Sequence, residues 1–279
     1  MTDVAREGLA SECFGMDPTL QRQRLKRGRL AQGARAVAGV IAAEGLLSGL
    51  KDAAKVAIAG RGFLDDVGYS MHVGTEAHDH AGAAAAVESI RRIARRHGGF
   101  EVPDSVPKLM RGARYVSMTS AIGPEGERWL PVHALLPLSD AAEAWHVVHA
   151  VLARHAAAFA RHGVEVGVLT AVVGPTAFAL EPVFYWPAPR TPYYERLLDP
   201  ATLRSFTDFP LNPDGEALVF EVRRELIAQF AARGAAHLQI GRTYAYRDAL
   251  TPPALALLRA IKAAVDPHGL MNPGVLGLP

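Results

Sequence analysis

His237 precedes Gly241-Arg242-Thr243-Tyr244 by a few residues, and an imidazole, a guanidinium and a phenol grouped in this way can hold an anion and move a proton. The planar guanidinium of Arg242 can grip a carboxylate or a phenolate through two parallel hydrogen bonds; a surface ion pair is its plainer use. His237 reads either as a packed imidazole or as a general base. His133, between Val132 and Ala134, carries the same two readings. Glu181 interrupts an apolar run, where a carboxylate must be paired or open onto a polar cleft. Tyr185, Trp186 and Tyr244 are either core aromatics or the walls of a cavity.

Several other chemistries lack their residues. His146 and His149 lie three apart on a predicted helix, and His78-Asp79-His80 marks a loop-to-helix boundary, yet no carboxylate or cysteine stands at ligand spacing with the helical pair. No metal is therefore expected. There is no G-x-S-x-G turn for a nucleophilic serine. Neither G-x-G-x-x-G nor G-x-x-x-x-G-K-[ST] occurs, so the chain is not expected to hold a dinucleotide tightly by itself.

The elements that must position these side chains follow from capping and periodicity. Asp17-Pro18 opens a predicted helix running to Lys55, and the charged Gln21–Arg29 cluster reads as a solvated or domain-facing surface, or as an anion or membrane contact. Val67–Val73 alternates as a half-buried strand, and Asp79–His97 is an Ala-rich helix stopped by Gly98. Arg128–Pro137 reads as a strand, Ser139-Asp140 starts a helix to His162, and Gly163 ends it. Residues 164–173 and 176–186 form a hairpin about Gly174-Pro175. A helix over 214–232, a strand over 236–240 and a helix over 252–265 complete the chain. This order predicts an α+β fold, a mainly antiparallel sheet covered by helices with a C-terminal helix and tail.

Composition narrows the classes further. With 49% hydrophobic and 21% charged residues the chain can bury a core, and a net charge of +2 without a basic run argues against nucleic acid. One cysteine, Cys13, rules out an intrachain disulfide and fits a reducing cytoplasm. Met1–Glu7 carries acids and no apolar core, so no secretory signal is expected, and no run is apolar enough for a transmembrane segment. A peripheral contact with the inner membrane stays compatible with a cytoplasmic chain.

The segment Leu258–Gly277, with Asp266-Pro267-His268-Gly269 followed by Asn272-Pro273-Gly274, resembles the closing segment of the FAD-linked oxidases. Trp129–Pro137, Leu180–Pro187 and His237–Tyr244 resemble the D-lactate dehydrogenase-like members. The resemblance implies a ferredoxin-like substrate (cap) domain at 61–250, preceded by a helical lead at 1–60 and followed by a C-terminal helix and tail at 251–279. It implies FAD held mostly by an FAD-binding domain or subunit that this chain lacks, and electrons passing on to a quinone or cytochrome. Where zinc-using members carry G-D-G-N-x-H and E-H-G segments, this chain has Val173–Phe178 and His237–Gln239, which implies a metal-free site. Gly241–Tyr244 resembles a stretch of the phenol-oxidising branch. Arg242, His237 and His133 are then the expected catalytic groups, Tyr185, Glu181 and Tyr244 the substrate contacts, and Asn272 and Gly274 the flavin contacts. The implied activity is oxidation of a 2-hydroxy acid such as D-lactate. The alternatives are oxidation of a phenolic or aromatic alcohol, or a non-catalytic subunit docking on a separate flavoprotein.

Overall fold

The computed structural model describes residues 1–26, 68–102, 104 and 118–279. In chain order its main elements are α1 (Thr2–Arg6), β1 (Glu12–Met16), α2 (Pro18–Lys26), β2 (Ser70–Gly74), α3 (His80–Arg96), β3 (Arg128–Pro131), β4 (Ala134–Pro137), α4 (Ala141–His162), β5 (Glu165–Val173), β6 (Ala177–Trp186), α5 (Pro192–Leu197), α6 (Pro200–Ser205), α7 (Pro213–Ala232) and α8 (Pro252–Val265). One sheet runs in the order β2-β1-β5-β6-β3, with β4 also on β6, and every pairing is antiparallel. The α+β expectation is met.

Capping explains where the helices begin. The Asp17 carboxylate accepts the Leu20 N–H at 2.7 Å, the Asp79 carboxylate accepts that of Gly82 at 2.7 Å, and the Asn212 side chain accepts that of Gly215 at 3.1 Å. At the hairpin, Gly174 adopts the left-handed φ of +62° that joins β5 to β6.

The two faces of the sheet differ. Leu180, Phe184 and Trp186 of β6 join Val132, Ala134 and Leu136 on the face covered by Val148, Val151 and Phe159 of α4 and Val219, Val222, Leu226 and Phe230 of α7. The 3.6-residue spacing of those helical positions makes the buried stripes. On the opposite face, Val183 and Tyr185 pack with Met16, Leu20, Phe14, Trp129 and Leu169. Gly167 lets α2 lie directly on this face, because a Cβ there would come within 2.6 Å of the Leu20 backbone.

Three expectations change. The expected strand over Arg128–Pro137 is split into β3 and β4, although Pro131↔Val183 and Ala134↔Leu180 belong to one register. Pro182 on the facing strand has no N–H to give, so the ladder lapses at Val132 and His133 while Val132 N–H still donates to the Pro182 carbonyl. The expected strand over 236–240 shrinks to one bridge, Leu135↔Ala236. The expected helical lead over 1–60 contains β1, which pairs with β5 inside the sheet, and Gly15 permits the fit because a Cβ would meet Thr170 Oγ1 at 2.7 Å. The continuation of the first helix from Arg27 to Lys55 lies outside the described residues.

Candidate active site

The outer edge formed by β3 and β4 has backbone groups pointing away from the sheet, and a buried edge must satisfy them. Leu135 exchanges both hydrogen bonds with Ala236, at 2.7 and 3.0 Å. At His133 side chains take over. Its N–H donates to Tyr244 Oη at 2.9 Å, and its carbonyl accepts from His237 Nδ1 at 2.8 Å. Farther along, the Pro131 carbonyl accepts from Arg223 Nη2 at 3.2 Å. The edge is therefore sealed by a bridge and three side chains from two segments.

The same contacts assemble a chemical cluster. The His237 and Tyr244 rings stack at 3.7 Å with 15° between their planes, and the His133 ring lies 5.6 Å from Tyr244. Because His237 Nδ1 faces a carbonyl, it carries the proton, and the lone pair of the neutral ring sits on Nε2. Tyr244 Oη accepts the His133 N–H and keeps its own proton to donate. Burial raises the Tyr244 pKa, while the His133 N–H and the Arg223 charge pull it down. Burial lowers the His133 pKa, and electrostatic effects of His237 and Arg223 lower it further, so this ring is neutral at neutral pH.

Extending the β3–β4 register places His133 opposite Glu181, on the face that also carries Tyr185. Burial raises the Glu181 pKa against the pull of Arg24, and its carboxyl acts electrostatically on Tyr244. On the same face His72 stacks on Phe14 with ring centroids 4.9 Å apart, its Nε2 lies 3.1 Å from Ser70 Oγ, and burial pushes its pKa down to about 4.

The structure thus brings together His133, His237 and Tyr244, with Glu181 and Tyr185 on the adjoining face. It does not bring Arg242 into that group. The Arg242 guanidinium is exposed and donates to the Pro273 carbonyl at 2.6 Å, tethering the tail in which Leu276 N–H donates to the Gly241 carbonyl. Asn272 and Gly274 shape this tail with φ of +48° and +80°. Sequence reasoning missed Arg223, the cation beside the cluster. It is buried, with 8% of its surface exposed, and Arg223 Nε and both ring nitrogens of His133 lack hydrogen-bond partners among the described residues. Its helical phase could have revealed it, since it lies between Val222 and Leu226 on the buried stripe of α7.

Residues 235–276, which supply His237, Tyr244 and the tail, match the family of FAD linked oxidases, C-terminal domain. The fold is similar to that of the 4-ethylphenol oxidase from Gulosibacter chungangensis, solved as its isoeugenol complex, with a TM-score of 0.50 and 15% identity over 99% of this chain and 50% of that one. A further solved structure, alkyldihydroxyacetonephosphate synthase, matches with a TM-score of 0.49 and 10% identity over 98% of this chain and 41% of that one. The chain spans half or less of the length of these solved proteins. No curated protein matches it.

Proposed function

We propose that the chain, whose residues 235–276 match the family of FAD linked oxidases, C-terminal domain, supplies the substrate-binding portion of an FAD-dependent oxidoreductase that oxidises a 2-hydroxy acid such as D-lactate. The observation that carries this reading is the His237 ring, fixed by the His133 carbonyl and by its stack on Tyr244 so that Nε2 is available as a proton acceptor. The Arg223 charge beside Tyr244 suits an anionic substrate.

The chain's own residues fit the reacting end of FAD rather than its pyrophosphate. The donor set at the sheet edge can serve a substrate held beside a flavin ring, whereas the glycines with positive φ stand in turns and caps. FAD, when bound, supplies the two-electron sink. His237 Nε2 would take the hydroxyl proton as the hydroxyl-bearing carbon is oxidised to the carbonyl of a 2-oxo acid. Tyr244 donates its phenolic hydrogen toward the substrate oxygen, Glu181 and Tyr185 border the substrate, and neutral His133 lies behind them. Arg242, Asn272 and Gly274 lie on the tail and contribute positive charge and backbone contacts on the flavin side. A quinone or cytochrome takes the electrons onward.

An FAD-binding domain docks on α8 and the tail, where Leu257, Ile261 and Val265 are 63%, 51% and 75% exposed at helical spacing and Leu270 and Met271 extend the stripe. Combining the chain with a flavin-bearing domain and following dye reduction with D-lactate, glycolate and 4-cresol tests the reading. Reduction by D-lactate that falls about 100-fold or more in His237→Gln is the expected result. Turnover of 4-cresol with none of either hydroxy acid would overturn the substrate and favour a phenolic one, for which the aromatic lining of Phe14, Trp129 and Tyr185 speaks.

A further inference from the structure

Arg223 presents a problem that the sheet edge alone does not solve. A buried guanidinium is ordinarily paired with an acid, yet no carboxylate bonds to it among the described residues. One Nη donates to the Pro131 carbonyl at 3.2 Å, and the Phe220 ring centre lies 5.9 Å from the guanidinium carbon. Nε has no partner among the described residues. Two residues along from Pro131, His133 is 4% exposed with neither ring nitrogen bonded among the described residues, although its backbone N–H and carbonyl are both satisfied by side chains. Arg223 acts electrostatically on His133, and three buried polar atoms without partners among the described residues are costly to leave unsatisfied.

We propose that Arg223 and the His133 imidazole form a receptor for one small carboxylate at the sheet edge, with Arg223 Nε–H and a His133 ring N–H donating to its two oxygens. The charge agrees: a single cation with a neutral second donor matches a monoanion, and a guanidinium N–H fixed by the Nη2 bond to the Pro131 carbonyl is a directed, charge-assisted donor. Tyr244 Oη and His237 lie against the same His133 backbone, so a carboxylate held here places the carbon next to it toward those two groups. Arg223 is thereby the residue that selects a 2-hydroxy acid over a neutral alcohol. This selective role rests on the proposed oxidation, whereas the receptor itself does not.

Titration calorimetry of the full chain with acetate and with acetamide, which has the same shape and no charge, tests the receptor. Saturable binding of acetate and none of acetamide is expected, with acetate weakened about ten- to hundredfold in Arg223→Met. Thermal unfolding of each variant establishes that it is folded. Should Arg223→Met fail to fold, Arg223→Lys decides, because a lysine keeps the charge and loses the fork, and acetate binding undiminished there overturns the proposal. Equal binding to wild type and Arg223→Met, or no binding to either, also overturns it and leaves an ordered water only. Arg223-dependent acetate binding without D-lactate oxidation by the flavin-complemented enzyme upholds the receptor and removes the oxidation. D-lactate oxidation unchanged in Arg223→Met removes the selective role of Arg223 and keeps the oxidation.

Discussion

Replacing Tyr244 by Phe deletes one oxygen and keeps the ring, so it isolates the contribution of that oxygen to the sheet edge. The lost atom is the acceptor of the His133 N–H, a buried bond of 2.9 Å, and nothing else among the described residues is bonded to that N–H. The stack on His237 and the place of the ring in the main core are retained, so the transfer energy of the aromatic ring cancels between the two proteins. What remains is a buried donor without an acceptor, a cost of roughly 1–3 kcal/mol. In a chain of this size that corresponds to a fall in Tm of roughly 2–10 °C. Urea unfolding of wild type and variant, followed by circular dichroism, should show the midpoint lowered with the slope unchanged. Amide exchange measured on the same samples should speed up at His133 more than at Ala134, whose backbone faces β6. A change in stability within about 0.5 kcal/mol, the range of ordinary surface substitutions, would refute the claim that a side chain seals this edge.

Two further outcomes follow from other parts of the molecule. His72, with a folded pKa of about 4 against an ordinary value near 6.5, binds fewer protons in the native state than in the unfolded one, so the stability it confers is present above about pH 6.5 and is lost as pH falls toward 4. The loss is about 3 kcal/mol at most, and unfolding free energies measured across pH 4–7 should flatten in His72→Gln; an equally steep profile in that variant would sink the assignment. On α8, replacing Leu257, Ile261 and Val265 together by Ser should leave the unfolding midpoint of the chain nearly unchanged, since all three are exposed, and should abolish co-purification with a flavin-bearing domain. Undiminished co-purification would mean that the domain docks elsewhere.

Much of the fold was legible because its punctuation is local. Asp17-Pro18, Asp79 and Asn212-Pro213 mark helix starts through side chains that act within one turn, Pro252 marks the start of α8 at its first turn, and Gly174-Pro175 marks the hairpin just as locally. The failures are non-local. Nothing in Val132-His133 announces a lapse in pairing, because the cause is Pro182 on the facing strand. Glu12–Met16 is short and contains a glycine that only the position of Thr170 explains. The candidate site divides along the same line. His237 and Tyr244 are close in sequence and meet in a ring stack, while Arg223 sits in Glu221-Val222-Arg223-Arg224-Glu225, a run that reads as solvated until the helical phase is counted from Val219 and Leu226. Arg242 drew attention through its neighbours, yet its guanidinium bonds to the Pro273 carbonyl of the tail, a partner 31 residues away that its neighbours do not announce.

The arrest of pairing after Ala236 is what makes the cluster. Antiparallel pairing at Leu135↔Ala236, continued by two residues, would set Leu238 against His133 and consume its N–H and carbonyl in backbone bonds. His237 would then project from one face of the sheet like any strand side chain, and Tyr244 would have no bond to make. Instead Leu238 stands 55% exposed, and the chain turns so that two side chains take the positions of one backbone residue. An imidazole held by a backbone carbonyl has a fixed tautomer and a fixed direction, which a solvated histidine lacks. Pre-organisation of the proton acceptor and closure of the sheet edge are therefore the same two hydrogen bonds, and substitutions at His237 must cost stability and proton transfer together.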